Sequence, residues 1–177
     1  RGGLCRTDVR LMTTTLIIDM DALADLSPWE SLAHAKQWDE FFEHIPDAPL
    51  RDAPVVALAR WASAHGARVV ISSRWDERHR AAATAWLSEH NVPSNAIYMR
   101  RSANPDAPSL AHRHAITASK RHMGTPVLVV HNSGEVATAL RSRDVRALPA
   151  DRITDDPAMW ERLITYAKPL TVKKKGN

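Results

Sequence analysis

With 177 residues, 44% of them hydrophobic and 25% charged, the chain can bury a substantial core and has the composition of a globular protein. One cysteine, Cys5, excludes an internal disulfide and a four-cysteine zinc site, and fits a reducing, cytoplasmic setting. A net charge of +4 with a pI near 9.6 suits an anionic partner, and no apolar run is long enough to cross a bilayer.

Residues 1–14 contain Gly2-Gly3, lack periodicity and read as a loose leader, within which Met12 is a candidate start. Leu16 to Asp19 forms a first strand. Residues 24–54 are too long for a tight connection and too apolar for plain loop. Trp29, Leu32, Trp38, Phe41 and Phe42 predict short helices there, a small insert near the mouth of a site. Phe41 and Phe42 are expected in the core, and Trp29 either there or as a stacking surface for a base. Pro54 opens a helix that His65-Gly66 ends, and Arg68 to Ser72 is a second strand. A helix from Asp76 to His90 and a strand from Ala96 to Met99 follow. Next come a turn-rich loop from Ala103 to Pro108, a helix from His112 to Arg121 and a strand from Pro126 to Val130. A helix from Gly134 to Ser142 and an edge strand from Val145 to Leu148 complete the alternation. Such alternation predicts an α/β fold: a mainly parallel sheet between two helical layers, one domain over residues 15–168, with a basic tail at 169–177.

The chemistry concentrates where the first strand ends in Asp19-Met20-Asp21. On a continuing strand both carboxylates would project to one side, at the sheet edge where open α/β folds bind ligands. Such a pair can hold a hard cation, and one member can attack phosphorus; it can also be a solvated acidic turn. Arginines and lysines gather in the second half, including Arg100-Arg101, Arg113, Lys120-Arg121, Arg141, Arg143, Arg146 and Lys173-Lys174-Lys175. This pattern fits either a nucleic-acid surface or an arginine-rich solvated one. The chain has no phosphate-binding G-x-x-x-x-G-K-[ST], no G-x-G-x-x-G, no H-E-x-x-H and no nucleophile elbow.

From Leu16 to Leu148 the order of segments resembles the haloacid dehalogenase (HAD) superfamily. The carriers are Leu16-Ile17-Ile18-Asp19-Met20-Asp21, Trp38-Asp39-Glu40-Phe41-Phe42, Val69-Val70-Ile71-Ser72-Ser73-Arg74 and Tyr98-Met99-Arg100. Their spacing is similar to the 3′-phosphatase domain of phage-type polynucleotide kinases. The resemblance implies a HAD-like Rossmannoid fold, with Asp19 as nucleophile and Asp21 as acid/base. It also implies that Ser72 holds the phosphoryl group and that Ser73, Arg74 and Arg78 bind the substrate phosphate or backbone. Mg²⁺, or Mn²⁺, is implied on Asp19, Asp21, Asn132 and Glu135.

The chain departs from the family pattern in three places. Ala22-Leu23 replaces the usual Gly-Thr after the acidic pair. The helix that should supply a lysine offers Arg113 as the cation and His112 as the closer positional match. The fourth strand leads into His131-Asn132-Ser133-Gly134-Glu135 where the family carries two acids, and His131 raises a softer ion such as Mn²⁺ or Zn²⁺. The expectation is a phosphohydrolase acting on nucleic-acid-end or nucleotide phosphates through an aspartyl-phosphate. The alternatives are an inactive HAD-fold protein that binds nucleic acid or a protein partner, and a metal-dependent nuclease.

Overall fold

The computed structural model describes residues 14–101 and 106–170. Cys5, Met12 and the rest of residues 1–13 lie outside the described residues, as do positions 102–105 of the turn-rich loop and the tail from 171, with Lys173–Lys175. The strands are β1 (Thr15–Asp19), β2 (Arg68–Asp76), β3 (Ala96–Arg100), β4 (Val127–His131) and β5 (Ala147–Pro149). They form one sheet in the order β3-β2-β1-β4-β5, and all four pairings are parallel. The helices are α1 (Glu30–His34), α2 (Trp38–Glu43), α3 (Ala53–Ala64), α4 (Arg80–Glu89), α5 (Ala107–Arg121), α6 (Gly134–Arg141) and α7 (Pro157–Tyr166). The expected α/β architecture is therefore present: a parallel sheet with helices on both faces. None of the described helices is long and apolar enough to cross a membrane.

Strand alternation sorts the core into two halves. Leu16, Ile18, Val69, Ile71, Leu128 and Val130 face one layer, packed with Leu58 of α3, Trp86 of α4 and Trp160 of α7. Ile17, Val70, Val127 and Val129 face the other, against Ala111, Ala115 and Ala118 of α5 and Val136, Ala137 and Leu140 of α6. All five residues of β1 are buried, as expected for the middle strand of a sheet covered twice.

The start and stop signals work as chemistry. Asp52, Asp106, Ser133 and Asp156 each accept a backbone N–H in the first turn of α3, α5, α6 and α7. After α3, Gly66 takes a φ of 85°, and Ala67 N–H closes onto the Ala62 carbonyl at 2.9 Å. Three boundaries differ from expectation. The Asp106 cap, with Pro108 in the first turn, starts α5 at Ala107 rather than His112. The strand β2 continues past Ser72 to Asp76, so α4 begins only at Arg80. Asp156-Pro157 opens α7, a helix the periodicity reading passed over.

The insert between β1 and α3 is built from short helices, as expected, and is closed at its base. Asp25 N–H donates to the Pro49 carbonyl and Arg51 N–H to the Leu23 carbonyl, both at 2.8 Å, around an antiparallel bridge from Ala24 to Leu50. Phe42 is buried and Phe41 half-buried against the core, whereas Trp29 stacks on His44 with 4.6 Å between ring centres. Trp86 ties the insert down from α4: its indole N–H donates to the Ala48 carbonyl at 2.8 Å in a buried position. Trp86→Phe should cost about 2–3 kcal/mol in urea unfolding, from an orphaned carbonyl plus a small cavity.

Candidate functional site

In the order β3-β2-β1-β4-β5 the direction of strand succession reverses between β1 and β4, and open α/β sheets bind ligands beyond the strand ends at that crevice. Asp19 ends β1 there. Continuing the alternation, Asp19 follows Ile17, Ser72 follows Val70 and His131 follows Val129, so all three point toward the α5–α6 layer. The strand does not continue to Asp21. It breaks into a 3₁₀ turn at Met20–Ala22, and the turn rather than the pleat brings Asp21 back to the cavity of about 280 Å³ that Asp19 lines. Arg74, His131, Asn132 and Glu135 border the same cavity.

Asp19 is 2% exposed. Its carboxylate accepts the Asn132 N–H at 3.0 Å and the Asp21 N–H at 3.3 Å. Asp21 accepts the indole N–H of Trp75 at 3.0 Å. Burial, only partly offset by these N–H donors and by Arg74, pushes Asp19 up to about 6. Burial and then the charge of Asp19 push Asp21 up to about 6 as well. Arg74 is exposed, and its guanidinium makes no hydrogen bond or ion pair among the described residues. It stands on the part of β2 that outruns β1: Asp19 pairs with Ser72, and β2 goes on to pair Asp76 with Arg100 after a register shift.

Next to Asp19, His131 Nδ1 accepts the Ser133 N–H at 3.0 Å and lies 3.2 Å from Asp19 Oδ2. That nitrogen is thus unprotonated, and burial holds His131 down near 4. The contact is two lone pairs meeting rather than an ion pair, and a proton on Asp19 or a cation between them relieves it.

Ser72 is not free. Its hydroxyl lies 2.8 Å from Nδ1 of His114, which is 6% exposed on α5. Burial, then the nearby Arg113, lowers His114 to about 4, so it is neutral. A neutral imidazole has one N–H, so in this pair either the Ser72 hydroxyl donates to Nδ1 or Nδ1–H donates to the Ser72 oxygen. The helix thus meets Ser72 through His114, which lies beside both residues expected to do so. Arg113 is exposed and borders a different cavity, with Tyr98 and Arg121. Half-buried His112 does not line the carboxylate cavity, and burial and Arg143 lower its affinity for a proton.

Ser73 faces away from any ligand: it is 1% exposed, and its hydroxyl accepts the Trp75 N–H at 3.0 Å. Arg78 pairs with Asp39 of α2 at 2.6 Å, across a second cavity of about 430 Å³. Asp21, Arg74, Trp75, Trp38 and Phe42 line that cavity, so an aromatic and cationic groove opens directly from the acidic pair. Trp75 and His114 are the site residues the sequence reading missed. A tryptophan after Arg74 and a histidine two residues from an expected position carry no spacing signal.

The donor set at the acidic pair is two carboxylates, one histidine and, at the rim, Asn132 and Glu135. No cluster of three or more His, Cys, Asp or Glu side chains that could hold a metal ion occurs among the described residues. The donors fit a cation of the Mg²⁺ type that takes one or two protein carboxylates and completes its shell with water and substrate oxygens.

No protein-family model matches the sequence, and no curated protein matches it.

The neutral histidine has a pH consequence. Unfolded His114 protonates near 6.5 and folded His114 near 4, so acid in that window favours the unfolded chain. Asp19 and Asp21 act oppositely, being raised from 3.8 to about 6 in the folded protein. Replacing His114 isolates its share. Between pH 6.5 and 4 the wild type should lose up to about 3 kcal/mol more stability than His114→Asn, read by urea unfolding at stepped pH in a chelator.

Proposed function

We propose that this protein is a phosphohydrolase of the HAD type, acting on the phosphates of nucleic-acid ends or nucleotides. The observation that carries this reading is buried Asp19 and half-buried Asp21 sharing one cavity at the sheet's switch point with the guanidinium of Arg74, which is unpaired among the described residues. The likeness of Asp19-Met20-Asp21 and Ser72-Ser73-Arg74 to the first two family motifs adds to it.

In this reading Asp19 attacks phosphorus and forms an acyl phosphate. Asp21 gives its proton to the departing alkoxide, then removes one from the water that attacks the phosphoryl group, releasing phosphate and restoring Asp19. An acid/base group works best with a pKa near the working pH, and burial supplies that to Asp21. Arg74 takes the phosphoryl oxygens, for which a planar two-pronged donor is suited. Ser72 is engaged by His114 through one hydrogen bond, so the phosphoryl group relies chiefly on Arg74. Asp19, Asp21, Asn132 and Glu135 would hold Mg²⁺ or Mn²⁺, which supplies neutralising charge at the phosphate. The groove of Trp38, Phe42, Trp75 and Arg74 supports a substrate with a planar base beside its phosphate.

Two observations favour a second reading, a HAD-fold protein that binds such phosphates without turning them over. His131 stands where a second acid would serve a metal, and Ser72 is tied to a neutral imidazole rather than poised beside a lysine.

Release of phosphate from 3′-phosphorylated oligonucleotides and from p-nitrophenyl phosphate, with Mg²⁺ or Mn²⁺, separates the two. Asp19→Asn should reduce release to background, and Arg74→Ala should slow it by about 10² to 10³. Wild-type release no greater than that of Asp19→Asn would overturn the phosphohydrolase and leave the binding protein.

A further inference from the structure

On the far side of His114 from Ser72, between β3 and α5, lies a cavity of about 180 Å³ with an unusual lining. Five guanidiniums border it: Arg80, Arg100, Arg101, Arg113 and Arg121. Carboxylates answer only three of them. Arg80 and Arg101 share Glu77, the latter at 3.8 Å, and Arg100 pairs with Asp76 at 3.3 Å. Arg113 makes no ion pair among the described residues, and Arg121 rests over the Tyr98 ring, 5.4 Å from its centre.

The wall holds a second sign of a missing partner. Tyr98 also lines this cavity, and its hydroxyl is shielded from solvent with no hydrogen-bond partner among the described residues. A buried hydroxyl without a partner is costly and uncommon in folded proteins. Tyr98 shares the cavity wall with Arg113 and Arg121, and an oxyanion bound there would be an acceptor for its hydroxyl.

We propose that this cavity is a second anion site, which binds a phosphate-bearing ligand through Arg113, Arg121 and the Tyr98 hydroxyl. Guanidinium forks match phosphate oxygens in pairs, and the phenol supplies one further donor at fixed position. The site stands apart from the acidic pair, does not depend on Asp19 chemistry, and remains whether or not the protein turns over phosphate. Arg100 lines both this cavity and the aromatic groove, so a ligand with several phosphates can extend from one to the other.

The test uses two probes: inorganic tripolyphosphate by calorimetry, and a labelled ten-nucleotide single strand without terminal phosphate by fluorescence anisotropy. Each is titrated into the full chain at low and moderate salt. Arg113→Ala with Arg121→Ala should weaken binding about tenfold or more. Removing the same charge elsewhere, with Arg152→Ala and Arg162→Ala, should weaken it less than threefold. Tyr98→Phe should keep or raise the melting temperature, because it removes an orphaned hydroxyl, and still lower affinity. Dependence seen with tripolyphosphate alone assigns the site to a small polyphosphate, and dependence with the strand assigns it to phosphodiester backbone; either supports the site. Equal loss in the two double variants, or no binding of either probe, overturns it.

Discussion

Everything at the candidate site follows from one electrostatic burden: a carboxylate placed at the end of a strand that has no exposed residue. A buried charge without a partner is expensive, and Asp19 has no cation in contact. The protein supports it with two backbone N–H groups, drawn from the turn after β1 and the end of β4. Those donors exist because β1 and β4 are adjacent and in register, Ile18 beside Val130. The sheet order thus does more than cover a core; it supplies the dipoles that let the acid exist. What remains uncompensated appears as raised proton affinity on both aspartates, a group of charge waiting for a proton, a cation or a phosphate's counter-charge.

The neighbours extend the same logic. His131 and His114 are both buried, and both are held neutral by burial. Each is fixed by a hydrogen bond at Nδ1, from the Ser133 N–H in one case and with the Ser72 hydroxyl in the other. Among the described residues Arg74 is the cation lining the cavity with the two carboxylates, while Arg51 acts on Asp19 from outside it. That balance leaves the two carboxylates short of positive charge. It also places unusual weight on the geometry of Arg74. The overhanging end of β2 provides that geometry, because Asp76 still pairs with Arg100 of β3 and holds the backbone extended.

Much of this was legible in the sequence. The β–α alternation, the helix opening at Pro54 and the acidic pair after an apolar run all act over a few residues and were legible, whereas the Asp106 cap that starts α5 early was passed over. What escaped depends on distance in space. The extension of β2 needs Arg100 as a pairing partner, 24 positions beyond Asp76. The role of His114 needs Ser72, 42 residues away. In a helix whose buried face includes both Leu110 and His114, periodicity does tell which histidine turns inward. His112 and Arg113 fall on other faces, and attention to that period would have chosen His114. The helix α7 was missed for a plainer reason: its Asp156-Pro157 start is a strong signal, and it simply follows the last expected strand.

The closure at the foot of the insert has its own consequence. With Ala24 bridged to Leu50, the sheet sees the chain leave and return at one point, whatever lies between. The entropy of closing such a loop grows only slowly with its length, by about 0.6 kcal/mol for each doubling. Insertions or deletions at its exposed positions, away from Leu26, Phe42, Ile45 and Ala48 in the core, therefore act mainly on the wall of the groove and hardly on the sheet. The wall around the exposed Trp38 can change while Asp19 keeps its place at the strand end, which makes this segment the natural ground for variation in what the groove presents.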